Sequence, residues 1–254
     1  LVRDDLGIYY DPTRPSRLES LIASPLPPGG ADRAARLTDR LCAHGATKYN
    51  LAGARPALPE GQRILVPGQV EDDASIRLGA GAIRSNAQLL TKVRADNPDA
   101  VILYKPHPDV EAGLRPGAVT DTGTADMVLS ATDTGWLLDQ VQEVWTITST
   151  LGFEALLRGL PVTCLGAPFY AGWGLTRDLG PVPERRQARP DLPALVHAVL
   201  IAYPRYLDPV TRLPCSPELA LERLCDPNAT PRPPALRVLA KLQGLLASRT
   251  TFWR

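Results

Sequence analysis

Two apolar, β-branched runs at residues 144–147 and 162–165 enclose a short helical segment. Runs of this composition are typical of strands that are buried on both faces of a parallel sheet. Between them, Ser149 or Thr150 can cap a helix that Gly159 can end. A strand, a helix and a second strand in such close succession predict one unit of a parallel sheet whose strands are connected by helices.

The same alternation extends toward the N-terminus. We expect strands at 64–67, 101–104 and about 126–130, and helices at 84–97 and 134–140. Strands that alternate with helices predict the α/β class, here a Rossmann-like parallel sheet flanked by helices, with extra helices at both ends of the chain. Ligands of such sheets bind beyond the carboxyl ends of the strands, so the loops 67–75, 105–109 and 148–154 are the expected site.

Segments rich in proline and glycine divide the chain into three predicted regions. Residues 1–61 are an N-terminal helical segment and linker, with helices near 14–24 and 31–46. Residues 62–202 are a Rossmann-like nucleotide-sugar-binding domain. Residues 203–254 are a C-terminal helical extension with a basic, amphipathic end, for which a packed terminal helix and a membrane contact both stay open.

Composition excludes several classes of protein. The chain has 254 residues, enough for one large domain, and its net charge of +1 argues against nucleic-acid binding. No apolar run approaches the length of a membrane span. The four cysteines lack metal-ligand spacing and are expected to be reduced in a cytosol. Because the sequence starts at Leu1 without a leader, we expect one module of a longer polypeptide.

Three consecutive acids, Glu71, Asp72 and Asp73, follow the strand at 64–67. A carboxylate at a strand end can act as a nucleophile or as a general base in sugar transfer. A solvated loop that caps the next segment explains the same acids without a ligand. Because no second acidic cluster accompanies them, we do not predict a metal site.

Two prolines flank His107 in the loop after the strand at 101–104. Proline fixes the backbone φ angle and lowers the entropy of the loop, so His107 is held in one place. It could donate to a leaving phosphate or to a substrate carboxylate, and Lys105 supplies a cation for the same groups. We interpret His44 and His197, which fall on predicted helices, as structural.

The segment from Thr148 to Glu154 places hydroxyl groups and a glycine at the start of a helix. Such a helix N-terminus suits a phosphate, and Gly152 would let a ligand approach the first turn. Glu154 could accept hydrogen bonds from a ribose diol. A capping box does not explain this acid, because Leu151 stands three residues before it, but an acid that complements the helix dipole does.

Aromatic residues and glycines are interleaved after the last of these strands. Tyr170 and Trp173 could pack on a base or on a sugar face, and an equally good interpretation is a loop that Trp173 anchors in the core. We interpret Arg185 and Arg186 as solvated, with contact to an anionic acceptor as the alternative.

Taken together, these motifs resemble those of one family. They are Gln69-x-x-x-Asp73-x-Ser75, Lys105-Pro106-His107-Pro108, Thr148-Ser149-x-x-Gly152-Phe153-Glu154-Ala155-Leu156 and Pro168-Phe169-Tyr170-x-Gly172-Trp173-Gly174, with Asp4-Asp5-Leu6-Gly7-Ile8-Tyr9-Tyr10 and Tyr203-Pro204-Arg205-Tyr206 beside them. Across residues 1 to about 225 they are similar to the capsule polysaccharide β-Kdo transferases of the KpsC type. Each motif alone is weak, and their number and order make the resemblance specific.

The resemblance implies a retaining glycosyltransferase that moves the acidic sugar Kdo from CMP-β-Kdo in capsular polysaccharide biosynthesis. The implied acceptor is a lipid-linked oligo-Kdo chain on a lysophospholipid. The implied location is the cytoplasmic face of the inner membrane of a Gram-negative bacterium, peripheral to it and beside a capsule biosynthesis and export complex. The chain would be the nucleotide-binding half of a GT-B fold, with no nucleic acid, metal or cofactor required.

The same match implies the residues that do the work. Asp73 would attack the anomeric carbon, with Asp72 as its rival, and His107 would share the catalytic role. The implied donor-binding residues are Gln69, Lys105, Ser149, Thr150, Gly152 and Glu154, and Ser75, Tyr170 and Trp173 are further candidates. Kdo carries a carboxylate on its anomeric carbon, so Lys105 and His107 would offset its repulsion of the attacking acid.

The family also has an upstream Rossmann domain with an acid suited to acid–base chemistry, and the present sequence is expected to begin after it. We therefore expect this chain to bind CMP or CMP-Kdo but to transfer Kdo poorly by itself. Two alternatives stay open at this point. One is another sugar-nucleotide enzyme, such as a UDP-sugar transferase or a 2-epimerase, and the other is a non-catalytic scaffold of capsule export.

Overall fold

A six-stranded parallel sheet forms the centre of the computed structural model, which describes residues 1–47, 53–120 and 122–226. Its strands are β1 (Arg63–Pro67), β2 (Val101–Lys105), β3 (Met127–Val128), β4 (Glu143–Thr146), β5 (Val162–Cys164) and β6 (Arg177–Asp178). Their order is β3-β2-β1-β4-β5-β6, and all neighbours are parallel. The predicted α/β class and Rossmann-like parallel sheet are thus confirmed.

The strand order reverses between β1 and β4. Leu65 of β1 pairs with Leu103 of β2 on one side and with Val144 of β4 on the other. The chain leaves these two central strands toward opposite halves of the sheet, so a crevice opens between their carboxyl ends. The loops after β1 and β4 are therefore where a ligand of this fold is expected to bind.

Helices cover both faces of the sheet and extend beyond it. They are α1 (Arg17–Ala23), α2 (Gly30–Ala43), α3 (Ala74–Gly79), α4 (Asn86–Asp96), α5 (Pro108–Glu111), α6 (Thr134–Leu138), α7 (Thr150–Leu157), α8 (Leu192–Val196), which continues as a π-helical segment His197–Ala202, and α9 (Pro217–Cys225). Side-chain caps explain several of the starts. At α4, Ser85 and Gln88 form a reciprocal capping box.

The side chains of each central strand alternate between two buried clusters. In β1, Leu65 joins the cluster that contains Phe153 of α7, whereas Ile64 and Val66 join the cluster that contains Leu89 of α4. All of these side chains are buried. A sheet that is covered on both faces accounts for strands that are apolar throughout.

Several short elements were not predicted from the sequence. They are α3, α5, β6 and a hairpin of β7 (Tyr206–Leu207) and β8 (Pro214–Cys215). The strands among them have two residues each and the helices six at most, too few to show a hydrophobic period. The basic, amphipathic stretch at 236–246 lies outside the described residues.

The interpretation of Arg186 as solvated is wrong. Its side chain is buried, where it forms an ion pair with Glu19 of α1 at 2.8 Å and donates to the carbonyls of Pro168 and Ala171. Arg185 pairs with the same carboxylate at 2.7 Å. Because one acid serves two guanidinium groups, α1 is tied to the loop after β5.

Glu19→Gln is expected to lower the free energy of unfolding by about 3 kcal/mol, because it leaves the guanidinium of Arg186 buried without its anion. Urea denaturation measures this change. The matched control is Glu222→Gln, which removes an exposed carboxylate paired with Arg40. That change should cost at most about 1 kcal/mol. Equal effects of the two substitutions would contradict the assignment of Glu19 as a buried counter-ion.

Other sequence expectations concern membranes and thiols. Within the described residues, no helix has both the length and the apolar character that a membrane crossing requires. The four cysteines are unpaired in the structure, and burial raises the pKa of the Cys164 thiol in β5.

Candidate functional site

A cavity of about 490 Å³ opens at the carboxyl ends of β1, β2, β4 and β5. It lies over the point where the strand order reverses, and all three loops singled out from the sequence contribute to it. The predicted site residues that line it are Gln69, Asp73, Ser75, Lys105, His107, Ser149, Thr150 and Glu154. The fold thus brings together residues that are more than 80 positions apart in the chain.

Asp73 lies at the start of α3 and lines the cavity. Its Oδ1 accepts hydrogen bonds from the backbone N–H of Ser75 at 2.9 Å and from the hydroxyl of Ser75 at 2.7 Å. The acid therefore caps the next segment, as the ligand-free interpretation required, and it also faces the cavity. Two bonds to one oxygen fix the orientation of the carboxylate.

Asp72, the rival acid, is placed differently. Both acids are exposed, but Asp72 is not among the described residues that line the cavity, and its Oδ1 pairs with Arg115 at 2.7 Å. Consecutive residues at a turn point in different directions, so only one of the two carboxylates can face the crevice. The geometry favours Asp73 for any role that needs contact with a ligand.

Lys105 ends β2 with only 8% of its surface exposed. Burial lowers the pKa of its ammonium, although the charges of Glu111 and Asp133 act in the opposite direction. Within the described part of the chain, the ammonium has no hydrogen-bond acceptor and no ion-pair partner. A largely desolvated cation that lines a cavity is chemically suited to bind a phosphate or a carboxylate.

His107 follows β2 and caps α5 with its imidazole. Its Nδ1 accepts a hydrogen bond from the backbone N–H of Asp109 at 3.1 Å. A neutral imidazole whose Nδ1 accepts a hydrogen bond carries its proton on Nε2, so Nε2–H is the donor. The prolines on either side hold the backbone at this position.

The N-terminus of α7 lines the cavity next to β4. Ser149, rather than Thr150, is its cap, because the Ser149 Oγ accepts from the backbone N–H of Leu151 at 3.2 Å. Both residues and Glu154 are half-buried. A helix N-terminus with a carboxylate one turn further on can bind a phosphate and an adjacent diol.

Gln69 lines the cavity, but its side chain is bonded within the protein. Its Oε1 accepts from the backbone N–H of Thr148 at 3.0 Å and from the Thr146 hydroxyl at 3.1 Å. Its Nε2 donates to the Thr148 hydroxyl at 2.9 Å. Gln69 therefore ties the loop after β1 to the loop after β4, and its direct contact with the donor stays a prediction.

Gly152 and Tyr170 do not line the cavity, contrary to the sequence-based expectation. A Cβ at Gly152 would lie 2.2 Å from the hydroxyl oxygen of Tyr170, so the glycine makes room for this ring and not for a ligand. Tyr170 is fully buried and donates to the carbonyl of Ser149. Together, the two residues hold the first turn of α7 in place.

Trp173 is also a core residue. It is buried, its indole N–H donates to the carbonyl of Phe169 at 2.9 Å, and Arg186 lies over its ring. The alternative of a loop anchored in the core is therefore confirmed for Trp173, and the expectation that it packs on a ligand is wrong.

Sequence reasoning did not assign several cavity residues to the site. They are Tyr9, Tyr10, Thr47, Arg115, Thr134 and Phe169. Tyr9 contacts Tyr10 and Phe169 edge to face, at ring-centroid distances of 5.3 and 5.7 Å. The two tyrosines belong to a motif that carries the family resemblance, and this was the signal that could have found them.

The described residues contain no group of three or more histidine, cysteine, aspartate or glutamate side chains that could hold a metal ion. Among the described residues, the positive elements that line the cavity are Lys105, Arg115 and the N-terminus of α7. The arrangement can hold an anion close to a fixed carboxylate.

Comparison with known proteins gives a consistent set of similarities. The family model described as "Capsule polysaccharide biosynthesis protein" matches residues 51–206. The chain is 44% identical over 230 residues to the capsule polysaccharide modification protein LipA of Neisseria meningitidis serogroup A, and 46% identical over 216 residues to the lipopolysaccharide-processing protein LpsZ of Rhizobium meliloti. The two matches include 88% and 81% of this chain, but only 32% of LipA and 49% of LpsZ.

Two solved structures are similar in fold and sequence. Both are KpsC of Thermosulfurimonas dismutans. The β-Kdo 2,7 transferase matches with a TM-score of 0.75 and 39% identity over 88% of this chain and 71% of that one. The β-Kdo 2,4 transferase matches with a TM-score of 0.82 and 34% identity over 89% of this chain and 72% of that one.

Proposed function

Because the chain belongs to the capsule polysaccharide biosynthesis protein family, we propose that it is a retaining β-Kdo transferase module that uses CMP-β-Kdo. One observation carries the proposal most strongly. Lys105, whose side chain is largely buried and has no ion-pair partner among the described residues, lines the same cavity as the fixed carboxylate of Asp73 and the N-terminus of α7. A donor with two anionic groups beside its reacting carbon suits this arrangement.

The proposed reaction is a double displacement. The carboxylate of Asp73 attacks the anomeric carbon of Kdo, the bond from that carbon to the phosphate oxygen breaks, and CMP leaves with the electron pair. An acceptor hydroxyl then attacks the same carbon and displaces Asp73, and its proton passes to a base. Two inversions give retention of configuration. By the family resemblance, we assign the role of this base to an acid of an upstream domain.

The cationic groups of the cavity would stabilise the charges of this reaction. Kdo has its carboxylate on the reacting carbon, so Asp73 approaches against like charge. Lys105 reduces this repulsion, and the Nε2–H of His107 donates to the leaving phosphate or to the sugar carboxylate. With these groups and the N-terminus of α7 at hand, we propose that no divalent metal and no cofactor take part.

The nucleotide would be bound by α7. Ser149 and Thr150 lie at its N-terminus, where phosphate is favoured, and Glu154 lies one turn further, where its carboxylate can accept from the ribose diol. We propose that the sheet region acts as the donor-binding half of a GT-B enzyme.

The remaining parts of the proposal rest on the family alone. The acceptor would be an oligo-Kdo chain on a lysophospholipid. The protein would act at the cytoplasmic face of a Gram-negative inner membrane, beside the proteins that build and export capsule. The chain spans only about a third to a half of the length of the curated relatives it matches, so the acceptor, the location and the partners of the whole protein are part of this proposal.

Isothermal titration with CMP and UMP separates this function from its alternatives. We expect CMP to bind and UMP to bind more weakly. Preference for UMP would favour a UDP-sugar transferase or epimerase, and binding of neither nucleotide would favour a non-catalytic scaffold. Inorganic phosphate alone is the control for simple anion binding by Lys105.

A further inference from the structure

Thr148 connects the acid of the cavity to the nucleotide-binding helix, and no role has been assigned to it so far. Its side chain is 7% exposed, between the end of β4 and the cap of α7. Its hydroxyl accepts from Gln69 Nε2 at 2.9 Å and donates to the Ser75 hydroxyl at 3.2 Å. Ser75 in turn donates to Asp73 at 2.7 Å.

These hydrogen bonds form a chain, called the relay here, in which the donor and the acceptor of each bond are fixed. The amide nitrogen of Gln69 can only donate, so the Thr148 hydroxyl oxygen accepts that hydrogen bond. The Thr148 O–H group then donates a hydrogen bond to the Ser75 hydroxyl. The Ser75 O–H group in turn donates a hydrogen bond to the carboxylate of Asp73. Each hydroxyl is used once as donor and once as acceptor, and bonds in such a chain strengthen one another.

The other end of the relay reaches the helix. The Oε1 of Gln69 accepts from the Thr146 hydroxyl, and the Thr146 oxygen accepts from the backbone N–H of Ser149 at 3.0 Å. Ser149 is the cap of α7. The carboxylate after β1 and the helix start after β4 are thus joined through side chains, across the point where the strand order reverses.

We propose that Thr148 is a positioning residue that holds Asp73 in register with a nucleotide on α7. This inference rests on the proposed function. Its hydroxyl acts through Ser75 on the attacking carboxylate and does not take part in bond making. A displacement of about 1 Å at a reacting group can reduce a rate 100-fold, so the loss of this link should slow the first displacement and spare nucleotide binding.

Thr148→Val tests the proposal, because it keeps the size and branching of the side chain and removes only the bridging hydroxyl. With CMP-Kdo as donor, we expect kcat for CMP release to fall about 10- to 100-fold, with KM and CMP affinity little changed. Thr148→Ser keeps the hydroxyl and should restore most of the rate. The control is Thr91→Val on α4, where the hydroxyl donates only to the carbonyl of Ala87.

A double-mutant cycle with Ser75→Ala gives a second, independent readout. Because both substitutions break the same relay, the double variant should be little slower than the slower single variant. This comparison also serves if Thr148→Val folds poorly, since Ser75→Ala alone must then show the loss of kcat.

The outcomes distinguish the two levels of the proposal. If the unmodified protein neither binds CMP nor releases it from CMP-Kdo, the proposed function fails, and the role of Thr148 fails with it. If the unmodified protein is active and Thr148→Val keeps its kcat, or loses CMP affinity and thermal stability in proportion to rate, only the positioning role is overturned.

Discussion

Replacement of Asp73 by asparagine should reduce CMP release from CMP-Kdo by about 10⁴-fold, the scale on which loss of an essential catalytic group acts. Asparagine is nearly the same size and can still accept from Ser75, but its amide is a poor nucleophile. CMP affinity should stay close to that of the unmodified protein, because the nucleotide is assigned to α7. Rate assays and titration with CMP on the same preparation check both parts.

Asp72→Asn is the matched control for this prediction. Asp72 is the adjacent acid, it is exposed and it pairs with Arg115. An exposed ion pair contributes at most about 1 kcal/mol, so the rate should change by less than about fivefold. A large loss at Asp72 with a small loss at Asp73 would reverse the assignment of the nucleophile.

Lys105→Met should weaken CMP-Kdo binding and at the same time stabilise the ligand-free protein. A hydrogen bond to a charged group contributes roughly 1.5–3 kcal/mol, so the affinity should fall about 10- to 100-fold. Methionine removes the charge from a largely buried side chain that has no ion-pair partner among the described residues, and it keeps the length of that side chain. The free energy of unfolding should therefore rise by about 1 kcal/mol.

The expected rise in the free energy of unfolding follows from the pKa of Lys105. Burial lowers this pKa from 10.5, so the folded protein holds the proton less tightly than the unfolded chain does. The charge therefore costs stability at neutral pH, and this cost declines as the pH rises from the lowered pKa of the folded state toward the higher pKa of the unfolded chain. Donor affinity should fall over the same alkaline range, below the pH at which an ordinary lysine loses its proton.

Lys92→Met provides the control, since Lys92 is exposed on α4 and pairs with Asp96. We expect it to change neither donor affinity nor, by more than a few tenths of a kcal/mol, stability. If Lys105→Met destabilised the ligand-free protein, Lys105 would have a structural partner and would not be an anion site.

The sheet and the position of the site could be predicted from the sequence because their signals are local and repeated. Apolar runs such as 101–104 and 162–165 alternate with capped helices, and this pattern has few solutions other than a parallel sheet. Once the sheet is expected, the loops after its strands must meet at one edge. Asp73, Lys105 and Glu154 were found in this way, although no contact between their loops is visible in the sequence.

The contacts within the site could not be predicted, because the same residue type suits either a ligand or another side chain of the protein. Gly152 at a helix start suits a phosphate and suits the ring of Tyr170 equally well. Gln69 can bind a sugar or two threonines. In the folded protein both residues have partners within the chain: Gly152 packs against Tyr170, and Gln69 is hydrogen-bonded to Thr148.

The burial of the Arg186 guanidinium also could not be predicted from the sequence. Arg185 and Arg186 are adjacent in sequence, and a pair of arginines is usually solvated. The position of Glu19 on a distant helix places the side chain of Arg186 in the interior. Nothing near these arginines in the sequence indicates that partner.

The central claim is that Asp73 forms a covalent bond with the sugar, and peptide mass spectrometry tests it most directly. The protein is mixed with CMP-Kdo without acceptor, quenched in acid within milliseconds to seconds, and digested. We predict a mass increase equal to one Kdo residue on the peptide that contains Asp73, absent from Asp73→Asn and retained in Asp72→Asn. CMP release at the full rate with no adduct on either aspartate at any time would contradict the double displacement.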